Sequence, residues 1–306
     1  MIARKSSTAF EYYNMMRKRA VAPNEYTFTA LLNGLADNAD NVETASQQAV
    51  DLFTYLTIQR NSVVNSYHFN IALKVCAEKE DIEALWSIVD MAAEIPGLNL
   101  NRFSYTTILG ALKAQVDKNP NTEVAKEAKA IWRSAVADFK DKKIEMRFFI
   151  VFSVVMCLAK SKELENVYLA LRILTSALNL PNYVLLENVK AIEHPELVSE
   201  EEIAPYLCTV GDIDDVRHCR LVWDLCAKLG QVNANLKYVT LFRTKFDRDQ
   251  LQPVIREKSS KLYGHPPTKT TEKAENTRNN NKHKDKRGKI SYDNGRRGKT
   301  RSKFRR

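Results

Sequence analysis

The sequence predicts an all-α protein, a right-handed α-solenoid of about five stacked helical hairpins. Three observations support this fold class. An aromatic residue followed by an apolar ladder at helical spacing recurs three times, a second helical pattern follows each copy, and turn-forming residues are scarce. The 306 residues include only nine Gly and nine Pro, which disfavours an all-β fold with many tight turns. A single two-helix unit of about 35 residues cannot bury its apolar faces alone, so such units stack.

The first pattern defines a helix that we term helix A. It occurs in PNEYTFTALLNGL from Pro23, VNSYHFNIALKVCA from Val64 and LNRFSYTTILGALKA from Leu100. Each copy has an Asn, an aromatic residue four positions later, and then an apolar ladder along one helix face. The aromatic residues are Phe28, Phe69 and Tyr105, and we expect them to be buried at equivalent places in successive repeats.

The second pattern defines a helix that we term helix B. A small residue is followed by a large residue four positions later and by an apolar residue three positions beyond that. The small residue allows helix A to approach closely. The pattern occurs four times and then once more weakly, at Ala49, Phe53, Leu56; Ala84, Ile88, Met91; Ala128, Trp132, Ala135; Ala170, Leu174, Ala177; and Cys219, Trp223, Cys226.

These patterns predict a solenoid over residues 1–255 and a tail over 256–306. The solenoid comprises a half repeat (1–24), clear repeats (25–65, 66–101 and 102–146) and degenerate repeats (147–255). The first helix lacks a helix A partner for Phe10, Tyr13 and Met16, which indicates that the natural protein begins further upstream or that Met1 is an internal start.

Charge is divided unevenly between the two parts. The tail carries 18 Lys and Arg against 5 Asp and Glu, whereas the rest of the chain has a net charge of −3. The tail has almost no aliphatic residues, so we expect it to be disordered. Such a polycation neutralises phosphates without reading bases. It is also the composition of a nuclear or nucleolar address, or of an arm that docks on ribosomal RNA.

The junction between helix B and the next helix A resembles the pentatricopeptide repeat family. Residues 9–24 look like the second half of such a repeat, ending in Val21-Ala22-Pro23-Asn24, and a full repeat follows from Glu25. The tetratricopeptide signature of Trp, Leu-Gly and Tyr at fixed offsets is not found. The resemblance covers residues 9–113 well, is looser to about 182 and is faint to about 250.

This resemblance implies an RNA-binding protein. Members of the family hold single-stranded RNA with about one base per repeat. Degenerate repeats with long insertions are similar to those of fungal mitochondrial members. The implied role is therefore mitochondrial RNA processing, stability or translation, including maturation of small-subunit ribosomal RNA, and the small ribosomal subunit is a possible partner. No cofactor is expected.

The resemblance also implies which side chains meet the bases. In the family these are the residue after the helix A aromatic and the last residue of the repeat. Here Thr29 with Asn65 implies adenine, and Asn70 with Asn101 implies cytosine rather than uracil, in 5′ to 3′ order. The third repeat offers Thr106, but its closing residue aligns with Met146, and the fourth helix A aligns Val151 with the reading position. Asn65 and Asn101 are equally suited to be helix N-caps.

Other polar groups indicate no chemistry. The five cysteines are scattered and lack CxxC spacing, which indicates a reduced compartment without disulfides. His218, Cys219 and Cys226 could be metal ligands, but both cysteines fall on core positions of a helix B. The cluster Asp212, Asp214 and Asp215 is better explained as the first turn of a helix. His68 is expected on an exposed helix face, without a role. We therefore expect no enzyme.

The competing interpretation is a helical-repeat scaffold, or a structural subunit of the mitochondrial ribosome, that holds peptide. An RNA-binding solenoid should show a basic groove despite its near-neutral body, and that property separates the two. The sequence contains no run of eighteen apolar residues, so it predicts no membrane span.

Overall fold

The computed structural model describes residues 6–39, 42–58, 64–119, 122–189, 192, 200–213, 215–247 and 250–251. All regular elements in these ranges are helices, and the prediction of an all-α class is confirmed. None of the described helices is both long and apolar enough to cross a bilayer. The long helices up to residue 177 are α1 (Ser6–Lys18), α2 (Glu25–Ala36), α3 (Ala45–Ile58), α4 (Ser66–Glu78), α5 (Ile82–Ala93), α6 (Arg102–Lys118), α7 (Thr122–Lys140), α8 (Phe148–Ala159) and α9 (Leu164–Ala177).

Helices A and B alternate as the two sequence patterns predict. The helices A are α2, α4, α6 and α8, and each packs against the next one in the row. The helices B are α1, α3, α5, α7 and α9, and each of the last four packs against the helix A that precedes it in the chain. The repeated hairpins are thus stacked in the manner of a solenoid, because each hairpin covers the apolar face of its neighbour.

The aromatic residue of each of the first three helices A lies at the centre of this packing. Phe28, Phe69 and Tyr105 each have no exposed surface, and each is the fourth residue of its helix. In α8 the fourth residue is Val151, which is equally buried. The expectation of equivalent buried places is therefore confirmed, and α8 follows the same plan with a smaller side chain.

Tyr105 also forms hydrogen bonds between its helix A and helix B of the same repeat. Its hydroxyl donates a hydrogen bond of 2.6 Å to Oδ2 of Asp138 and lies 2.9 Å from Oγ of Ser134, both on α7. Burial and the bond to Asp138 raise the pKa of Tyr105, so the phenol keeps its proton and remains a donor. A buried Tyr needs such a partner, since an unpaired hydroxyl would be costly.

The helix B pattern is largely confirmed. Its predicted residues on α3, α7 and α9 are all buried, as are Cys219, Trp223 and Cys226. On α5 the buried residues are instead Leu85, Ile88 and Ala92, while Ala84 and Met91 are half-buried. The buried stripe of α5 is therefore displaced by one residue at its two ends, which keeps the same face of the helix toward its neighbours.

The part of the described chain that follows α9 departs from the hairpin plan. After α9 the described residues form only short turns until α11 (Val216–Lys228): a 3₁₀ turn at Leu186–Asn188, α10 (Glu200–Ile203) and a second 3₁₀ turn at Ala204–Tyr206. The helix α11 packs on α9 and on the final helix α12 (Val232–Lys245). The weak fifth pattern thus lies on α11, where a helix B packs on the preceding helix B. The predicted basic tail lies outside the described residues.

Candidate functional site

The helices A are parallel, so their N-terminal turns lie along one edge of the stack. Thr29 of α2 contacts His68 of α4, and Asn70 of α4 contacts Ser104 of α6, all near the helix N-termini. At the opposite ends, Lys118 pairs with Glu80 and Lys160 with Asp117. We term the row formed by the first turns of α2, α4, α6 and α8 the reading face, and we number each helix from its N-cap through N1, N2 and onward.

Asparagine caps the first three of these helices. Asn24, Asn65 and Asn101 each hold an extended backbone and accept hydrogen bonds through Oδ1 from backbone N–H groups of the following turn. These side chains satisfy donors that the helix itself leaves unpaired. The interpretation of Asn65 and Asn101 as caps is therefore correct. Capping uses only Oδ1, so it leaves the Nδ2 amide of each side chain for another partner.

The first predicted pair, Thr29 and Asn65, is joined through His68. The Oδ1 atom of Asn65 accepts from the backbone N–H of His68 at 3.1 Å. The Nε2 atom of His68 lies 2.8 Å from Oγ1 of Thr29 and 3.2 Å from the backbone oxygen of Glu25. The expectation that His68 is exposed is wrong: its side chain is fully buried, because the neighbouring α2 covers that side of α4.

The second predicted pair, Asn70 and Asn101, is joined in the same way through Ser104. The backbone N–H of Ser104 donates to Oδ1 of Asn101 at 3.2 Å, and its hydroxyl donates to Oδ1 of Asn70 at 2.9 Å. The two amides also meet directly, with Nδ2 of Asn70 3.4 Å from Oδ1 of Asn101. Ser104 is fully buried, whereas both asparagines are half-buried and remain accessible.

The third candidate, Thr106, lies at the equivalent N5 position but is bonded differently. Its hydroxyl donates to the backbone oxygen of Arg102 in its own helix, at 2.7 Å. The structure also shifts the sequence alignment of α8 by one residue. The closing position is Arg147 rather than Met146, and the position equivalent to Thr29 is Phe152 rather than Val151. Met146 and Val151 are buried core residues.

A row of exposed aromatic side chains lies on the same face and was missed by the sequence analysis. It occupies the N2 position, two residues before the buried N4 residue. The signal was present as an aromatic residue at the same offset in all four repeats, and the exposed fractions are 74% for Tyr26, 53% for Tyr67, 57% for Phe103 and 53% for Phe149. Four large exposed rings at one repeated position are typical of an interaction surface, although the Arg102 guanidinium lies over the Phe103 ring, 4.6 Å from its centroid.

A cleft of about 610 Å³ opens on the reading face between α4 and α6. Its walls include both members of the second predicted pair and both neighbouring exposed rings. Three cations line it against a single carboxylate. The residues that matter here are Asn70, Asn101, Tyr67, Phe103, Lys74, Arg102, Lys143 and Glu145.

The charges around this cleft favour an anionic ligand. Glu145 is shared between two guanidinium groups, at 3.4 Å from Arg102 and 3.1 Å from Arg147. Lys74 pairs with Glu78 at 3.5 Å while keeping about half of its side chain exposed, and Lys143 pairs with Asp138 and Asp141 at 3.3 and 3.0 Å. Pairs as exposed as these contribute little to stability, so their cations remain available to phosphate groups.

In the part of the chain that the structure describes, the cysteines are not grouped with Asp212 or Asp215, and Asp214 lies outside the described residues. All five cysteines are buried and free, and burial raises the pKa of Cys219 and of Cys226 to about 12. Asp215 is the N-cap of α11, where hydrogen bonds from Arg217 lower the pKa of its carboxyl. Within the described residues, no group of three or more His, Cys, Asp or Glu is arranged to hold a metal ion.

Comparison with known families agrees with this geometry. Residues 1–37 match the model of the PPR repeat family, which covers α1 and α2 together with the cap at Asn24. No curated protein matches the sequence. The family match supports the assignment made from the junction at Pro23 and Asn24.

Proposed function

We propose that this pentatricopeptide repeat protein binds single-stranded RNA along its reading face, and that two adjacent repeats select the bases. The observation that carries the proposal is the cleft between α4 and α6. It combines an amide pair, two exposed rings and three cations, which are the three kinds of group that recognise a splayed nucleotide.

The amides supply hydrogen bonds to a base edge. Oδ1 of Asn101 already accepts from the N–H groups of Phe103 and Ser104, at 2.9 and 3.2 Å, so this side chain offers its Nδ2 donor to a ligand. Asn70 is likewise bound through Oδ1 to Ser104. Short amides on rigid helices can read the Watson–Crick edge of an unstacked base.

The exposed rings supply stacking. Neighbouring helices pack about 8–10 Å apart, and bases of single-stranded nucleic acids stack on aromatic side chains. Rings on successive helices A can therefore enclose one base per repeat. Base–aromatic stacking contributes about 1–3 kcal/mol per base and tolerates any sequence. The aromatic row thus supports affinity, and the amide pairs support selection.

The local charge favours RNA over a peptide scaffold. The sequence predicts that an RNA-binding solenoid needs a basic groove, and the cleft has three cations against one carboxylate. In finer terms, we propose that Thr29 with Asn65 selects adenine and Asn70 with Asn101 selects cytosine. Thr106 contributes contact without selection. The proposed setting is mitochondrial RNA maturation, such as that of small-subunit ribosomal RNA, and it rests on family resemblance.

Fluorescence anisotropy with short labelled oligonucleotides tests the proposal. The full chain should bind single-stranded RNA containing an adenine–cytosine step more tightly than RNAs that differ at either base. A variant with Tyr67→Ala and Phe103→Ala should lose affinity for all of them. A matched control is Leu236→Ala, which removes an exposed apolar side chain of α12 away from the reading face. If the wild-type chain binds no single-stranded RNA, or if the double variant binds RNA as tightly as Leu236→Ala does, the proposal is wrong.

A further inference from the structure

We propose that the third residue of α4 and of α6 positions the base-reading residues of the preceding repeat and sets their hydrogen-bonding state. His68 does this for Thr29 and Asn65, and Ser104 does it for Asn70 and Asn101. The inference rests on the proposed RNA binding and adds to it a buried layer of residues that never touches the base but determines what the reading residues offer to it.

The contacts at Ser104 show how such a residue works. Its hydroxyl has one proton, which it donates to Oδ1 of Asn70, and its oxygen accepts from the backbone N–H of Asn101 at 3.0 Å. This fixes which end of the Asn70 amide faces inward, since only an oxygen can accept from Ser104. The Nδ2 donor of Asn70 is therefore directed toward Asn101 and the cleft.

His68 sets the state of Thr29 by a different chemistry. A backbone carbonyl only accepts, so the contact between Nε2 of His68 and the oxygen of Glu25 requires a proton on Nε2. The same N–H then donates to Oγ1 of Thr29. The Thr29 hydroxyl accepts this bond and keeps its own proton for an outside acceptor. Both N5 residues are thus presented to the RNA as donors.

The fourth helix A provides the contrast. Its N3 residue is Ile150, which is buried and has no polar atom in its side chain. Its N-cap, Arg147, makes no side-chain cap hydrogen bond. The preceding reading residue, Thr106, turns its hydroxyl back to Arg102 of its own helix. Where the N3 residue is apolar, the reading residue donates its hydrogen bond to a backbone oxygen of its own helix instead of to a ligand.

Hydrogen-bond donors at the N5 position favour a base whose ring nitrogen at the centre of the Watson–Crick edge accepts a hydrogen bond. Adenine N1 and cytosine N3 are such acceptors, whereas guanine N1 and uracil N3 carry protons. Loss of the N3 contact frees the amide or hydroxyl to rotate, so the preference should weaken mainly at the base that the affected pair reads. A loss of about tenfold in discrimination is the change expected from one oriented hydrogen bond.

The test measures affinity for RNAs that differ at only one base, with full-length chain. Ser104→Ala should reduce discrimination about tenfold at the base read by Asn70 and Asn101, and leave the base read by Thr29 unchanged. His68→Gln should do the reverse. Ser104→Thr should restore discrimination, because Thr27 occupies the same N3 position in the capping box of α2.

Thr27→Ala is the matched control. It removes an N3 hydroxyl whose partner is Asn24 of its own cap, and it should leave discrimination at both bases unchanged. A gain-of-function variant, Arg147→Asn with Ile150→Ser, should introduce selection at the base opposite Thr106.

The outcomes separate this proposal from the one on which it rests. If the wild type selects bases but Ser104→Ala weakens binding equally for RNAs carrying each of the four bases, Ser104 only stabilises the fold and the positioning role is overturned. If the wild type binds RNA with no base preference, or not at all, the proposed reading itself fails. Thermal unfolding of each variant shows whether an affinity change follows from loss of structure.

Discussion

The first turns of α6 and of α8 show that one backbone plan can carry two kinds of surface. Both helices bury their N4 residue completely, as Tyr105 and Val151 respectively. The start of α6 has a capping asparagine and a buried serine, whereas the start of α8 has Arg147 and Ile150. The difference teaches that the stack depends on N4 and the apolar ladder. The N-cap and N5 positions are available for ligand contact, and the buried N3 residue contacts them from within the stack.

The largest expected effect is on the free energy of unfolding, and it distinguishes a core position from the reading position next to it. Phe69→Ala should reduce the free energy of unfolding by about 3–5 kcal/mol, because it leaves a cavity in the centre of the stack. Asn70→Ala, one residue later, should cost about 1 kcal/mol or less, since it removes side-chain hydrogen bonds at a half-buried position. Urea unfolding followed by circular dichroism measures both. Similar losses for the two variants would contradict the division between core and reading positions.

The next effect concerns the exposed rings. Tyr67→Ala and Phe103→Ala should each weaken RNA binding by about 1–3 kcal/mol through lost stacking, with the free energy of unfolding nearly unchanged. Phe149→Ala at the start of α8 should have a smaller effect, because no polar pair orients a base beside it. Anisotropy titrations with one RNA compare the three variants. An equal loss at Phe149 would show that the fourth repeat engages RNA as fully as the second.

A smaller effect distinguishes two threonines at the same repeat position. Thr29→Val should weaken binding about tenfold, because valine keeps the shape and removes the hydroxyl that donates to a base in the proposed arrangement. Thr106→Val should change binding less than about twofold, since that hydroxyl donates to the Arg102 backbone. The same titration measures both. A loss at Thr106 as large as at Thr29 would show that the hydroxyl rotates outward on binding.

The smallest expected effect is a change of base preference rather than a loss of RNA affinity. Asn101→Asp should shift selection at the second base from cytosine toward uracil by a few-fold, because a carboxylate accepts where the amide donated. Stability should change by less than about 0.5 kcal/mol, since Asp and Asn are comparable N-caps. Oligonucleotides that differ only at this base provide the measurement. An equal drop for all four bases would show that Asn101 serves only as a cap.

Much of the fold could be predicted from residue spacing alone. Phe28, Phe69 and Tyr105 recur with the same ladder, and burial at helical spacing follows from the geometry of a single helix. The register of α8 could not be predicted so well. Its start has neither an Asn nor an N4 aromatic, and Phe148, Phe149 and Phe152 offer several alignments. Only the helix start at Phe148 fixes which residue is N5.

The candidate site could be predicted only in part, because its geometry depends on the neighbouring helix. Helical spacing gives the face of α4 on which His68 lies, but not that α2 covers it. The contacts from His68 to Thr29 and from Ser104 to Asn70 cross 39 and 34 residues of sequence. The residue types of the N5 and N-cap positions were visible, whereas the buried side chains that connect them belong to the tertiary packing.

The capping asparagines have a consequence for how such a protein can change over evolutionary time. The residues that cap helices well are Asn, Asp, Ser and Thr, and they differ among themselves by a fraction of the roughly 1 kcal/mol that a cap contributes. The same four side chains differ sharply in what they donate and accept. Position 101 can therefore exchange one of these residues for another while the helix still starts at Arg102. Substitutions among these four residues at position 101 therefore change the groups offered to a ligand while the stability of the fold stays nearly constant. If the proposed reading holds, a change of RNA target needs no unfolded intermediate sequence.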